Sequence, residues 1–231
     1  ISLLNQTVQE ASSPLISEIR AKIKSGAYDE AIKLADQALE SESKLEVYYL
    51  KGYALSLLNN HESAYQVYKT AAALPGGSPE FLFYTANALR ALKRVDEALA
   101  EYDLAISMNP DDFFYRYHKS NYLRELGRHE NAVSEMDELL KRDSNRYDYY
   151  FHKANSLRSL GRHKEAILAM DKAIAADPGN PLYVFHKAQS LSLLHHYKEA
   201  HVLLDMAISV KASPIYLKER ETVRKEIENG H

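Results

Sequence analysis

Apolar positions in residues 147–180 fall into two stretches of helical spacing separated by a single break. They recur every three or four residues over 147–160, stop at Gly161-Arg162, and resume with the same period over 163–176. Such spacing lines one face of an α-helix, so two amphipathic helices joined by a tight turn are predicted. Asp177-Pro178-Gly179-Asn180 closes the second helix, because proline brings no amide hydrogen and glycine loses too much backbone freedom in a helix interior.

Sliding the chain against itself shows that this pair of helices is a repeat. Phe151-His152-Lys153-Ala154-Asn155-Ser156-Leu157-Arg158-Ser159-Leu160-Gly161-Arg162-His163 echoes the segment from Tyr117 to His129, 34 residues earlier, and returns as Phe185-His186-Lys187-Ala188-Gln189-Ser190-Leu191. A fixed period of 20–50 residues is the mark of a solenoid, in which each supersecondary unit buries its apolar face on its neighbours. The frame gives repeats at 45–78, 79–112, 113–146, 147–180 and 181–214, and a shorter one at 12–44. Asn109-Pro110-Asp111-Asp112 and Pro75-Gly76-Gly77-Ser78 are the matching corners. Ser144-Asn145 lacks the proline, so a softer corner is expected there.

Small residues recur where paired helices must approach closely. Gly52, Ala86, Ser120, Ala154 and Ala188 occupy one place on the first helices, and Ala64, Ala98, Ala132, Ala166 and Ala200 one place on the second. Ala71, Ala105, Ala173 and Ala207 follow two turns later, with Tyr68, Tyr102, Met136 and Met170 filling the space between. Small residues at places eight and twenty, an aromatic near twenty-four, Ala at twenty-seven and Pro at thirty-two resemble the tetratricopeptide repeat. The departures are the missing Trp at place four, Leu139 for Ala and Ser144 for Pro. The resemblance implies an all-α chain: a right-handed superhelical solenoid of about six helix-turn-helix repeats. An N-terminal extension is expected over 1–11, the array over 12–214, and a charged capping helix and tail over 215–231.

Composition changes this picture little. A formal net charge of −3 lacks the basic excess of a nucleic-acid binder, and ten histidines occur without a single cysteine. Disulfides and thiolate zinc sites are thereby excluded, and a cytoplasmic location fits. No apolar run approaches the ~20 residues of a membrane span. The chain opens without Met or a leader-like segment, so a trimmed or processed product is expected. His118, His152 and His186 stand one repeat apart, at rungs on the order of 10 Å, too far for ligands that must all reach ~2.0–2.3 Å from one zinc ion. No HExxH pattern, phosphate-cradling loop or catalytic triad is legible, and neither an enzyme nor a metal or cofactor site is expected.

In the resembled family the first helix of each repeat lines a concave groove. Carried over, this places an aromatic ladder there (Tyr49, Phe83, Tyr117, Phe151, Phe185), an amide ladder (Asn87, Asn121, Asn155, Gln189) and a guanidinium ladder (Arg90, Arg124, Arg158), with His118 and His152 beside them. The expected function is a scaffold that holds an extended or helical segment of another protein. That segment is expected to be acidic or carboxylate-bearing, its backbone gripped by the amides and its acids by the arginines. Single-stranded nucleic acid on the arginines and aromatics is a second reading; Glu46, Glu80, Glu125 and Asp148 on the same face stand against it. A third, capture of a chaperone's C-terminal tail, needs Lys at the fifth place, which is aromatic throughout. Asp on each second helix and Lys on the next first helix further predict ion pairs Asp36–Lys51, Asp103–Lys119, Asp137–Lys153 and Asp171–Lys187.

Overall fold

A computed structural model describes residues 14–41 and 44–230; the extension expected over 1–11 lies outside them. Among the described residues there are thirteen helices and no strand. They are α1 Pro14–Lys24, α2 Tyr28–Ser41, α3 Leu45–Leu57, α4 His61–Ala73, α5 Pro79–Ala91, α6 Val95–Met108, α7 Phe113–Glu125, α8 His129–Arg142, α9 Tyr147–Ser159, α10 His163–Ala176, α11 Pro181–Leu193, α12 Tyr197–Val210 and α13 Pro214–Glu228. The fold is a helical repeat solenoid. Its chain divides into two compact units, Ile1–Tyr115 (unit 1) and Arg116–His231 (unit 2).

One backbone device makes every hairpin. Gly26, Asn59, Lys93, Gly127, Gly161 and His195 all have φ between +58° and +81° at equivalent places after the first helix. The residue that follows donates its N–H to a carbonyl five residues back: Asn60 to Leu55 at 2.9 Å, Arg128 to Leu123 at 2.8 Å, Arg162 to Leu157 at 2.9 Å. This is a Schellman closure, which satisfies carbonyls that a helix end leaves open and reverses the chain in two residues. The long corner without proline is tied differently. Asp143 Oδ1 accepts the N–H of Asn145 at 3.1 Å, an Asx turn in place of the imino acid.

Unit 1 packs on Ala31, Ala35, Ala64, Ala71, Ala98 and Ala105, all fully buried. Gly52 is needed for this packing: a Cβ there would stand 2.4 Å from the Tyr68 ring of α4, so the ring occupies the space that the missing side chain leaves. Unit 2 uses Ala132, Ala154, Ala166, Ala173, Ala188, Ala200 and Ala207 in the same way. Leu139 is also fully buried where the family pattern has Ala. Ser120, at a small-residue place, donates its buried hydroxyl to the Ala132 carbonyl at 3.0 Å, tying α7 to α8. Past the last hairpin, α13 buries Tyr216 and Val223 against α11 and α12.

Three of the predicted ion pairs form, Asp36–Lys51, Asp137–Lys153 and Asp171–Lys187, each at 2.5 Å. Their acids are roughly half exposed, which limits each to about 1 kcal/mol. Lys119 pairs with Glu135 at 2.6 Å, and that carboxylate also takes Arg116 at 2.7 Å. Asp103–Lys119 would join one unit to the other and remains an expectation.

Candidate partner-binding site

The first helices of unit 2 carry most of the predicted site. Tyr117, Asn121 and Arg124 on α7 and Phe151, Asn155 and Arg158 on α9 are spaced i, i+4, i+7, which puts each set on one stripe of its helix. The Tyr117 hydroxyl meets His152 Nε2 at 2.8 Å, and the two rings stand edge to face at 5.3 Å. Tyr117 also lies 5.7 Å from its neighbour His118, ring to ring. Phe151 leans on His186 at 5.5 Å and on Tyr183 at 5.0 Å. These contacts link one repeat to the next and leave Tyr117 and Phe151 half-buried.

The two arginines set the electrostatics. Arg158 reaches across to α11, donating Nη2–H to Gln189 Oε1 at 2.6 Å and Nη1–H to His186 Nδ1. A guanidinium can only donate, so His186 accepts at Nδ1 and carries its proton on Nε2. Burial and then the Arg158 charge push the His186 pKa down to about 4, so the ring is neutral at pH 7. His152 is shifted down for the same reasons, burial first and Arg124 second. Among the described residues Arg124 is hydrogen-bonded to Asn121, at 3.4 Å. Neither arginine forms an ion pair with a carboxylate among the described residues; Glu219 of α13 acts on Arg158 only through its longer-range field. The Nε atoms of both, and Nδ1 of His152, are buried without a hydrogen-bond partner. Elsewhere in unit 2 arginines are paired, as in Arg146–Asp148 at 2.8 Å and Arg162–Glu165 at 2.6 Å.

The remaining predicted residues are placed differently. Phe185 is only 3% exposed and stacks on Tyr216 of α13 at 4.5 Å. Phe83 is 9% exposed, packed on Phe114 at 4.8 Å and Tyr102 at 6.0 Å. Both are core side chains of their units. In unit 1 the Asn87 oxygen accepts the Tyr102 hydroxyl at 2.8 Å, so this amide braces its own hairpin. Arg90 lies three residues on, half-buried. Sequence reasoning saw His186 only as a rung of a histidine ladder. Its bond to Arg158, 28 residues away, depends on rotamers that no periodicity reports.

A family model described as tetratricopeptide repeat matches residues 117–181, the stretch from Tyr117 through Arg158 and the helix after it. Another, described as anaphase-promoting complex, cyclosome, subunit 3, matches residues 24–105. The chain belongs to the tetratricopeptide repeat family. No curated protein matches it. Solved structures share the tetratricopeptide fold at low identity. The C-terminal part of a TPR repeat-containing protein from Cytophaga hutchinsonii superposes with a TM-score of 0.74 at 13% identity, covering 85% of this chain and 79% of that one. MamA from Desulfovibrio magneticus RS-1, from residue 41 to its end, gives 0.65 at 19%, covering 75% and 98%. YrrB, described as a TPR protein with an unusual peptide-binding site, gives 0.57 at 19%, covering 79% and 94%. Tetratricopeptide arrays are protein-interaction scaffolds and generally non-enzymatic. Among the described residues no helix is long and apolar enough to cross a membrane.

Proposed function

We propose that this tetratricopeptide scaffold binds an acidic segment of another protein on the first-helix face of unit 2. The observation that carries this reading is the state of Arg124 and Arg158. Among the described residues these two partly buried guanidiniums have no carboxylate partner and are hydrogen-bonded to neutral groups, Arg124 to Asn121 and Arg158 to Gln189 and His186. An incoming carboxylate or phosphate oxygen would give their terminal Nη–H groups an anionic acceptor in place of neutral ones, and charge-assisted hydrogen bonds are the stronger kind. The planar fork of arginine suits such an acceptor. Asn121 and Asn155 stand beside the cations and can each offer a donor and an acceptor to a ligand backbone. Tyr117 and Phe151, half-buried, supply the apolar contact; Phe83 and Phe185 do not.

A disordered ligand loses entropy as it orders, so a micromolar dissociation constant is expected. The test uses fluorescent twelve-residue peptides of alternating Glu and Leu, the same peptides with Lys for Glu, and a fifteen-nucleotide oligothymidine, read by anisotropy. The acidic peptide binds, weakens as salt rises, and is lost on charge reversal in the Arg124→Glu/Arg158→Glu double variant. Asn121→Ala with Asn155→Ala weakens it less. Equal binding of the Glu and Lys peptides, or full affinity in the charge-reversed protein, would overturn the proposal. Tight oligothymidine binding abolished by the same variant would show that these arginines serve nucleic acid instead.

A further inference from the structure

Unit 1 carries a surface of different chemistry that the acidic-ligand reading does not use. Between α3, α4 and α5 an open cleft of about 300 Å3 is lined by Tyr49, Tyr53, Tyr68, Tyr84 and Phe83, with Ser56, His61 and Asn87 among the polar groups. Its construction follows from one glycine. Because Gly52 has no side chain, Tyr68 of α4 packs flat into α3 and becomes the floor, 5.3 Å from Tyr84. Tyr84 lies 5.0 Å from Tyr49, which in turn runs parallel to Tyr53 at 6.0 Å. Tyr53 is the exposed lip, at 41%.

We propose that this tyrosine cleft is a second binding site, which takes an arginine or lysine side chain of a partner protein against the rings of Tyr49, Tyr53 and Tyr84. Three observations favour a cation over a neutral apolar group. None of the lining residues is Lys or Arg, whereas the rings present a concentration of negative π-faces in one place. The net charge of the unit has the right sign: residues 1–115 hold 16 acidic against 10 basic side chains, and residues 116–231 hold 16 against 19. Within that excess the Glu80 carboxylate lies near enough to the Tyr84 phenol to help raise it to about 12, after burial and Tyr49, so the ring stays neutral while a negative field reaches the cleft. Finally, a tyrosine face of this same unit already holds a cation. The Arg94 guanidinium sits 4.7 Å from the Tyr65 ring centre, while the Lys69 ammonium donates to the hydroxyl of the same tyrosine at 3.0 Å. A volume near 300 Å3 is at the bottom of the range for ligand sites, which suits one side chain rather than a cofactor.

Arginine and citrulline have nearly the same shape and differ in charge, so they separate this proposal from a merely apolar cleft. The full chain, with 13C-labelled tyrosine rings, is titrated with the blocked tripeptide Gly-Arg-Gly and with its citrulline counterpart. The expected result is saturable movement of the Tyr49, Tyr53 and Tyr84 ring signals, about fivefold tighter for arginine. Tyr53→Leu, on the exposed lip and thus tolerated by the fold, weakens the arginine peptide at least threefold with helicity unchanged. Arg124→Glu/Arg158→Glu leaves it unaffected, which separates this site from that of unit 2. Equal affinity for both peptides, or no saturable shift at these rings, would overturn the proposal.

Discussion

Units 1 and 2 are built from the same hairpin, closed by the same left-handed residue and packed on the same alanines, yet they present opposite chemistry. Unit 1 is acidic and lines its first helices with tyrosine. Unit 2 carries a basic excess, nine of the ten histidines, and two arginines that have no carboxylate partner among the described residues. The difference lies entirely at places the hairpin does not need. Ala64 and Ala166 are interchangeable in role because interhelical distance permits little else there, whereas the ninth and twelfth places of a first helix are half-buried or exposed and can diverge. A repeat of this kind separates fold from recognition, position by position.

The largest predicted effect falls on unit 2 alone. Removing residues 214–231 strips Tyr216 from Phe185 and Val223 from the last hairpin. Burial of two such side chains is worth about 3–6 kcal/mol. Hydrogen exchange should therefore accelerate through α11 and α12 while the amides of α1–α6 keep their protection. Equal acceleration in both units would show that they unfold as one.

Acid should separate the units next. The folded chain holds His186 at a pKa of about 4 against an ordinary 6.5, so between those values the unfolded chain binds a proton that the folded one refuses. Stability of unit 2 therefore falls as pH drops from about 6.5 to about 4, by at most about 3 kcal/mol, and this contribution changes no further below that. His152 acts in the same direction. Unit 1 contains one histidine, His61. Exchange measured at pH 7 and pH 4.5 should loosen α9 and α11 more than α3 and α5, and His186→Phe should narrow the gap.

The smallest effect tests what the units share. Lys93 adopts φ +60° where its counterpart Gly161 has +72°, a conformation that costs an L-residue about 1–2 kcal/mol. Lys93→Gly should raise the stability of unit 1 by about 1 kcal/mol, and Gly161→Lys should lower that of unit 2 by a similar amount. Denaturant midpoints of the two single variants check both signs.

The parts of this molecule that repeat were legible in the sequence, and the parts that depend on a single neighbour were not. Gly161-Arg162 announced a turn because a left-handed residue followed by a helix start is a local requirement. Asp171–Lys187 was visible because both partners change together along the chain. By contrast, Phe83 and Phe185 follow the same ladder as Tyr117 and Phe151, yet they are covered by Phe114 and Tyr216, the aromatics 31 residues further on, where the other two have Asp148 and Leu182 at that offset. The Arg158–His186–Gln189 contact and the tyrosine cleft are also invisible to periodicity. Each arises where side chains from successive first helices happen to differ from their equivalents.

The placement of α13 bears on how such a chain can lengthen. Tyr216 lies on Phe185 where the opening helix of one more repeat would lay its own side chain, while the other faces of α13 carry Glu219, Arg220, Glu221, Arg224 and Glu228. A duplicated copy of 181–214 inserted before α13 would meet Phe185 on one side and receive Tyr216 on the other. The same copy appended after α13 would find mainly charged groups to dock against, with Ile215 and Leu217 as scattered apolar ones. Growth by duplication thus has an insertion point at the junction of α12 and α13.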